Sequence, residues 1–323
     1  MSHTHENRDD KVSLVEMGPR DGLQNETATL SLAQRLALIA RLAESGLQRI
    51  EVGAFVSPKK VPQMADSAAL FNALPRRGPT RYGALVPNLQ GLQAAIAARA
   101  DEIGLFTACA DGFTRANIGI SVEESLVRFA PLVQEARSLG IKVRGYLSTV
   151  IACPFDGPTR PKRVAALAER LLDLGCHEIS LGDTIGVGTP GTVAPMLDAV
   201  LHEIPAGRLA VHFHDTYGQG LANLLPALER GIRTIDCSVA GLGGCPYAPG
   251  ASGNVASEEV VYLLHGLGMS TGVDLDQLAA TGQWVSELLG RPNGSRVGQA
   301  LHGRGRRLAQ EREQRPPGGH HAS

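Results

Sequence analysis

Short apolar runs rich in β-branched residues alternate with longer stretches whose apolar positions recur every three or four residues. The alternation predicts parallel strands buried on both faces, each followed by an amphipathic helix. Strands are expected at Val12–Glu16, Arg49–Gly53, Tyr82–Val86, Glu102–Ala108, Lys142–Val150, Glu178–Asp183, Leu209–His214 and Thr234–Ala240. Helices are expected at Ser31–Ser45, Met64–Leu74, Leu89–Ala98, Val122–Leu139, Pro161–Leu174, Pro190–Glu203, Gly220–Arg230 and Ser257–Leu267. Ser31, Ser121 and Thr189 stand at N-cap positions, and Gly46, Gly140, Gly175 and Gly231 stand where helices should end. Eight strand–helix units in roughly 250 residues predict an α/β fold, a closed (β/α)8 TIM barrel, with a doubly wound open sheet as the alternative. Asp274–Leu289 predicts one additional C-terminal helix. Without an internal repeat or linker, residues 11–302 read as one barrel domain, between tails at 1–10 and 303–323 that are expected to be disordered.

Charge and cysteine usage narrow the picture. The 323-residue chain carries 31 Lys+Arg against 32 Asp+Glu, a formal net charge of -1. That balance gives no excess of positive charge for nucleic acid or an anionic membrane surface. The longest uncharged stretch, Cys237–Ser257, is too rich in Gly and Pro to span a bilayer. Five cysteines without CxxC spacing argue against a disulfide framework and against a thiolate zinc site. A reducing, cytoplasmic location is expected, because the first ten residues also carry no apolar or Arg-rich targeting pattern. His320 and His321 read as tail residues rather than ligands.

A barrel should carry its chemistry just beyond the C-terminal ends of its strands. Those positions hold Gly18-Pro19-Arg20-Asp21, Glu51, Tyr146, Asp183, His212-Phe213-His214-Asp215, the loop Ala240–Tyr247 and Ser252-Gly253-Asn254. His212 and His214, two apart on a strand, point to one face. Strands seven, eight and one become neighbours when the barrel closes, which can add Asp21 and Asn254 to the same edge. Two imidazoles with carboxylate and amide oxygens suit a six-coordinate divalent ion, Mg2+ or Mn2+. The alternative is a pair of histidines hydrogen-bonded within a polar layer. Arg20 offers two donors to an oxygen that becomes an enolate, or else a salt bridge to Asp21 or Glu51. Asp183 is either an active-site acid or a cap on the loop before Pro190. Cys245 is either a mobile thiol over the barrel mouth or a small buried hydrophobe. Gly186–Gly191 satisfies GxGxxG, but the chain downstream offers the His-x-His strand in place of a ribose-binding acid. Gly241–Gly244 lacks the Lys-Ser/Thr ending of a P-loop.

Three strings are more specific: Met17–Glu26 (MGPRDGLQNE), Val211–Gly220 (VHFHDTYGQG) and Ser238–Tyr247 (SVAGLGGCPY). On these the chain, from about Lys11 to Leu301, resembles the hydroxymethylglutaryl-CoA lyase family, among the metal-dependent (β/α)8 lyases and Claisen-type synthases. The resemblance implies cleavage of 3-hydroxy-3-methylglutaryl-CoA to acetoacetate and acetyl-CoA, in leucine breakdown and ketone-body formation. It implies Asp21, His212, His214 and Asn254 as metal ligands and Arg20, Glu51, Asp183, His212 and Cys245 as catalytic groups. Arg20, Gln24 and Tyr146 are implied substrate contacts, and the resemblance implies an acyl-CoA partner and a homodimeric assembly. The chain departs from the pattern at Ala54, where relatives often carry Ser, and at Lys60, in place of a common Trp, so a longer 3-hydroxyglutaryl-CoA homologue is an alternative substrate. No cysteine follows Cys245, and Gly290–Arg296 leaves only Arg291 and Arg296 as partners for CoA phosphates. A Claisen-type acyltransferase using an α-keto acid shares the metal site but should lack the cysteine loop. A non-catalytic acyl-CoA-binding barrel is disfavoured because every proposed catalytic group is present.

Overall fold

Eight parallel strands close on themselves in chain order: Ser13–Glu16, Arg49–Ala54, Arg81–Leu85, Glu102–Ala108, Lys142–Ser148, Glu178–Asp183, Leu209–Phe213 and Thr234–Cys237. The computed structural model describes residues 10–76, 78–244 and 253–313, with side chains to residue 307. Closure is made by the first strand, which pairs with the eighth from Ser13↔Thr234 to Glu16↔Cys237 and with the second at Val15↔Arg49. The fold is therefore the TIM barrel, and the open-sheet alternative falls.

The amphipathic periodicity maps onto helices whose apolar stripes pack on the outside of the strands, as Val164, Leu167, Ala168 and Leu171 do on Pro161–Leu174. Ser31 and Ser121 each close a capping box with the residue three positions on, Gln34 and Glu124. The glycines placed at helix ends, Gly46, Gly140, Gly175 and Gly231, all have positive φ.

The structure departs from the sequence reading in several places, each with a local cause. The eighth strand stops at Cys237 instead of running to Ala240. Val239 and Ala240 donate their N–H groups to the buried carboxylates of Glu16 and Glu258 instead of to a ladder, and Ala240 turns to φ +56°. The fifth strand stops at Ser148, where Thr149 has φ +57°. Pro62 opens a short 3-10 turn, so the second helix begins at Ser67 instead of Met64. A helix at Asp111–Ile118 and a two-residue β-ribbon pairing Ala152–Cys153 with Gly157–Pro158 had no counterpart in the sequence reading. The extra C-terminal helix spans Leu275–Leu288 and a further helix follows at Arg296–Glu313. Residues 303–313 are thus helical where disorder was expected. Arg, Gln, Glu, Leu and Ala are good helix formers even when they offer little apolar surface. Among the described residues, no helix is long and apolar enough to cross a membrane.

Inside the barrel, below its C-terminal mouth, lies a charged layer in place of the branched apolar layers usual for this architecture. Arg49 donates to Glu178 at 2.9 Å and to Glu102 at 3.2 Å, and Arg144 donates to Glu178 at 2.6 Å and to Asp236 at 2.6 Å. Arg144 and Asp236 are each 1% exposed. A buried network of this kind holds together only because every charge faces its opposite; removing one member leaves an uncompensated charge.

Candidate active site

The first strand ends in a π-helical turn, Gly18–Gly22, that swings Arg20 and Asp21 over the barrel mouth. The turn is tied from below by Glu16, whose Oε1 accepts from the N–H groups of Gly18 at 2.8 Å and Val239 at 2.9 Å while Oε2 accepts from Ser257 Oγ at 2.6 Å. Burial pushes the Glu16 carboxyl up to about 7, against the lowering effect of those bonds. Arg20 Nε donates to Glu51 Oε2 and Nη1 donates to Asp21 Oδ1 at 2.6 Å. Glu51 Oε1 accepts from Tyr146 Oη at 2.9 Å. Burial raises the Glu51 carboxyl, partly offset by Arg20. Arg20 thus forms both of the salt bridges considered from sequence, and they leave Nη2 without a partner among the described residues.

At the end of the seventh strand His212 Nε2 and His214 Nε2 face each other 3.2 Å apart. At most one hydrogen can lie between them, so two neutral rings in this pose present at least one lone pair to the space they share with Asp21. Donor atoms of Asp21, His212 and His214 all lie within 4.8 Å of one another. Asn254 donates through Nδ2 to Asp21 Oδ2 at 2.9 Å and to Leu242 O at 3.2 Å, while its buried Oδ1 has no hydrogen-bond partner. His214 is bridged to Asn254 through the backbone, which fixes the seventh strand against residue 254. Burial, then His212, push His214 down to about 4, so its ring is neutral near pH 7. Burial would raise Asp21, but Arg20 and the two imidazoles hold it at about 2. Two imidazoles, an ionised carboxylate and an orphaned amide oxygen are the donor set of a hard or borderline divalent cation, and these residues fit one.

The sequence-predicted residues Arg20, Asp21, Gln24, Tyr146, His212 and His214 border one cavity of about 160 Å³, whose other walls include Leu85, Phe106, Phe113, Asn117, Ser148 and Gly244. Asp183 is not brought there. It shares strand parity with Ile179 and Leu181, which face the helices, and its Oδ2 accepts from Gly188 N–H at 2.7 Å. Burial pushes its carboxyl up to about 6 against the lowering effect of the Gly186–Gly188 backbone N–H groups. The GxGxxG loop therefore cradles a carboxylate of its own chain. Gly186 sits at φ +64°, and a Cβ there would lie 2.7 Å from Thr216 Oγ1 and 2.9 Å from His214 O. Ala54 is buried among core side chains, with its N–H donated to Ser67 Oγ at 3.2 Å, and lies outside the cavity wall formed by the described residues. Arg291 is ion-paired with Glu26, and Lys60 is exposed. Cys245 and Ser252 lie outside the described residues; Gly244, next to Cys245, is on the wall.

Sequence reasoning missed Asp236, Arg144 and the Phe106–Phe113 wall. A charged residue inside an otherwise apolar strand, as in Thr234-Ile235-Asp236-Cys237, was the available signal.

The HMGL-like family profile matches residues 11–285. The chain is 52% identical over 293 residues to the mitochondrial hydroxymethylglutaryl-CoA lyase of Arabidopsis thaliana, which covers 91% of this chain and 63% of that protein; the chain thus spans under two thirds of its length. It is 52% identical over 291 residues to the 3-hydroxy-3-isohexenylglutaryl-CoA/hydroxy-methylglutaryl-CoA lyase of Pseudomonas aeruginosa, covering 90% of this chain and 97% of that one. The crystal structure of hydroxymethylglutaryl-CoA lyase from Pseudomonas aeruginosa superimposes with a TM-score of 0.90 at 51% identity, covering 93% of this chain and all of the other.

Proposed function

The chain belongs to the HMGL-like family, and from that premise and the barrel-mouth geometry we infer that it is a carbon–carbon lyase cleaving 3-hydroxy-3-methylglutaryl-CoA to acetoacetate and acetyl-CoA. The observation that carries this reading is the convergence of Asp21, His212 and His214 donor atoms within 4.8 Å on a cavity wall shared with Arg20. Asp21, His212, His214 and Asn254 would hold a divalent cation, Mg2+ or Mn2+. Bound there, the cation supplies Lewis acidity to the tertiary hydroxyl of the substrate.

The chain's own groups account for the rest. The hydroxyl proton passes to the carboxylate of Asp21, whose oxygens keep free lone pairs while His212 commits that of Nε2 to the cation; the C3–O bond becomes the ketone of acetoacetate, and the C2–C3 electron pair passes to the thioester as an enolate. Arg20, braced by Glu51 and Tyr146, donates to that developing oxygen, and Gln24 contacts the substrate. Cys245 returns a proton to the acetyl-CoA carbon; its neighbour Gly244 on the wall supports that placement. Asp183 acts by holding the loop before Pro190. Leu85, Phe106 and Phe113 give the cavity an apolar side suited to the 3-alkyl group, and with the bifunctional Pseudomonas relative this supports acceptance of chains longer than methyl. By resemblance we place the reaction in leucine breakdown and ketone-body formation, in the cytoplasm, in a homodimer.

The test is product analysis with 3-hydroxy-3-methylglutaryl-CoA before and after chelation. Acetoacetate and acetyl-CoA in equal amounts, lost on chelation and restored by Mg2+ or Mn2+, are expected. Full turnover by protein shown to be metal-free would remove the reading.

A further inference from the structure

Behind His212, on the side away from Asp21 and His214, stands a carboxylate with no place in the chemistry above. Asp236 lies beside His212 in the register of the eighth and seventh strands and is 1% exposed. Its Oδ2 receives Ser180 Oγ at 2.7 Å and Arg144 Nη1 at 2.9 Å and lies 3.2 Å from His212 Nδ1, while Oδ1 receives Arg144 Nη2 at 2.6 Å. An ionised carboxylate can only accept, so the hydrogen in the His212 contact belongs to Nδ1. That tautomer leaves the lone pair on Nε2, the atom aimed at His214 and the Asp21 edge. Arg144 Nη1 also donates to Tyr146 Oη at 3.3 Å, and Tyr146 in turn donates to Glu51, the partner of Arg20. One continuous network therefore stands behind both the His212 edge and the oxyanion arginine.

We propose that Asp236, clamped by Arg144 and Ser180, is a positioning residue that fixes the ring orientation and tautomer of His212 for cation binding. The inference rests on the metal-edge reading above. The competing role, mere neutralisation of the buried Arg144, makes a different forecast for the pair of residues changed together.

The experiment titrates Mn2+ into the full-length chain and follows free Mn2+ by electron paramagnetic resonance, with histidine nitrogen shifts read by NMR. Wild type is expected to bind Mn2+ with His212 protonated on Nδ1. Asp236→Asn should weaken Mn2+ binding by about 10- to 100-fold and mix the His212 tautomers. Asp236→Glu, which keeps the acceptor, should recover part of the loss. Asp236→Asn combined with Arg144→Met removes the uncompensated buried cation, so it guards against a single variant that fails to fold. If Asp236 positions His212, the double variant stays weak. Wild-type Mn2+ affinity in either folded Asn variant, to within about twofold, would overturn the proposal, as would a wild-type His212 with its hydrogen on Nε2. A wild type that binds no Mn2+ would sink the metal reading itself, whereas tight wild-type binding with unchanged variants sinks only the role of Asp236.

Discussion

Arg20 spends Nε on Glu51 and Nη1 on Asp21, and both bonds are internal to the protein. They fix the guanidinium in place, so on the reading proposed above its remaining donors would meet the enolate oxygen without reorganisation. Arg20→Met should lower kcat by about 10²- to 10³-fold, or about 2.7 to 4 kcal/mol, with a much smaller change in Mn2+ affinity. An Arg20→Met enzyme with normal kcat would reduce Arg20 to a structural ion-pair partner. Cys245→Ser keeps size and a hydroxyl but is a far weaker acid, so kcat should fall by roughly 10²- to 10⁴-fold, checked with steady-state kinetics on the methyl substrate. Asp183 makes a prediction about stability instead. Its carboxyl is raised from 3.8 to about 6 by burial, so the native state holds its proton over a pH range where the unfolded chain has released it. The stabilising contribution is complete below the unfolded value and is lost as pH rises through about 6. Asp183→Asn cannot ionise, so its stability relative to wild type should rise between pH 4 and pH 7 in urea melts, while a pH-independent difference would show that the group is not buried as described.

At the scale of elements, strand and helix identities were legible because buried parallel strands and amphipathic helices leave different periods in the sequence. The strand ends were less so. The stop at Cys237 depends on Glu16 and Glu258, carboxylates from the first strand and from Ser257–Gly266, and no local pattern reports a partner from the other end of the chain. Gly104 illustrates the same limit. A Cβ at this mid-strand position would collide with the Tyr146 ring, so its small size makes room for a cavity-lining side chain 42 positions later. The candidate ligands were readable because His-x-His and Arg-Asp are local strings. The apolar wall was not, since Phe106 comes from the fourth strand and Phe113 from the unforeseen helix Asp111–Ile118, with their rings edge-on at 6.0 Å. Substrate breadth should therefore answer to that wall and not to Ala54. Phe106→Ala is expected to shift the ratio of kcat/KM toward a longer 3-alkyl substrate by about 10-fold, since one methylene in an apolar pocket is worth about 1 to 3 kcal/mol. Ala54→Ser should leave the ratio unchanged in the same assay.

The whole molecule binds its two ends together at the site. Because the first strand pairs with the eighth, Asp21 and Asn254 stand 2.9 Å apart although 233 positions separate them in sequence. The cation should then bind the native state and not the unfolded chain, and saturating Mn2+ at about 100 times Kd should add about 2.7 kcal/mol to stability. A melting temperature independent of Mn2+ concentration would contradict that linkage. Barrel closure in chain order also carries a message about assembly. A nascent chain, or a half-barrel cut after the fourth strand, holds Arg20 and Asp21 but neither histidine, and the complementary half holds His212, His214 and Asn254 without the carboxylate. Neither half owns the complete proposed ligand set, so an ion held by it would be captured only after the last strand has docked on the first. On that reading a bound metal would act as a latch across the seam, its arrival marking the end of folding.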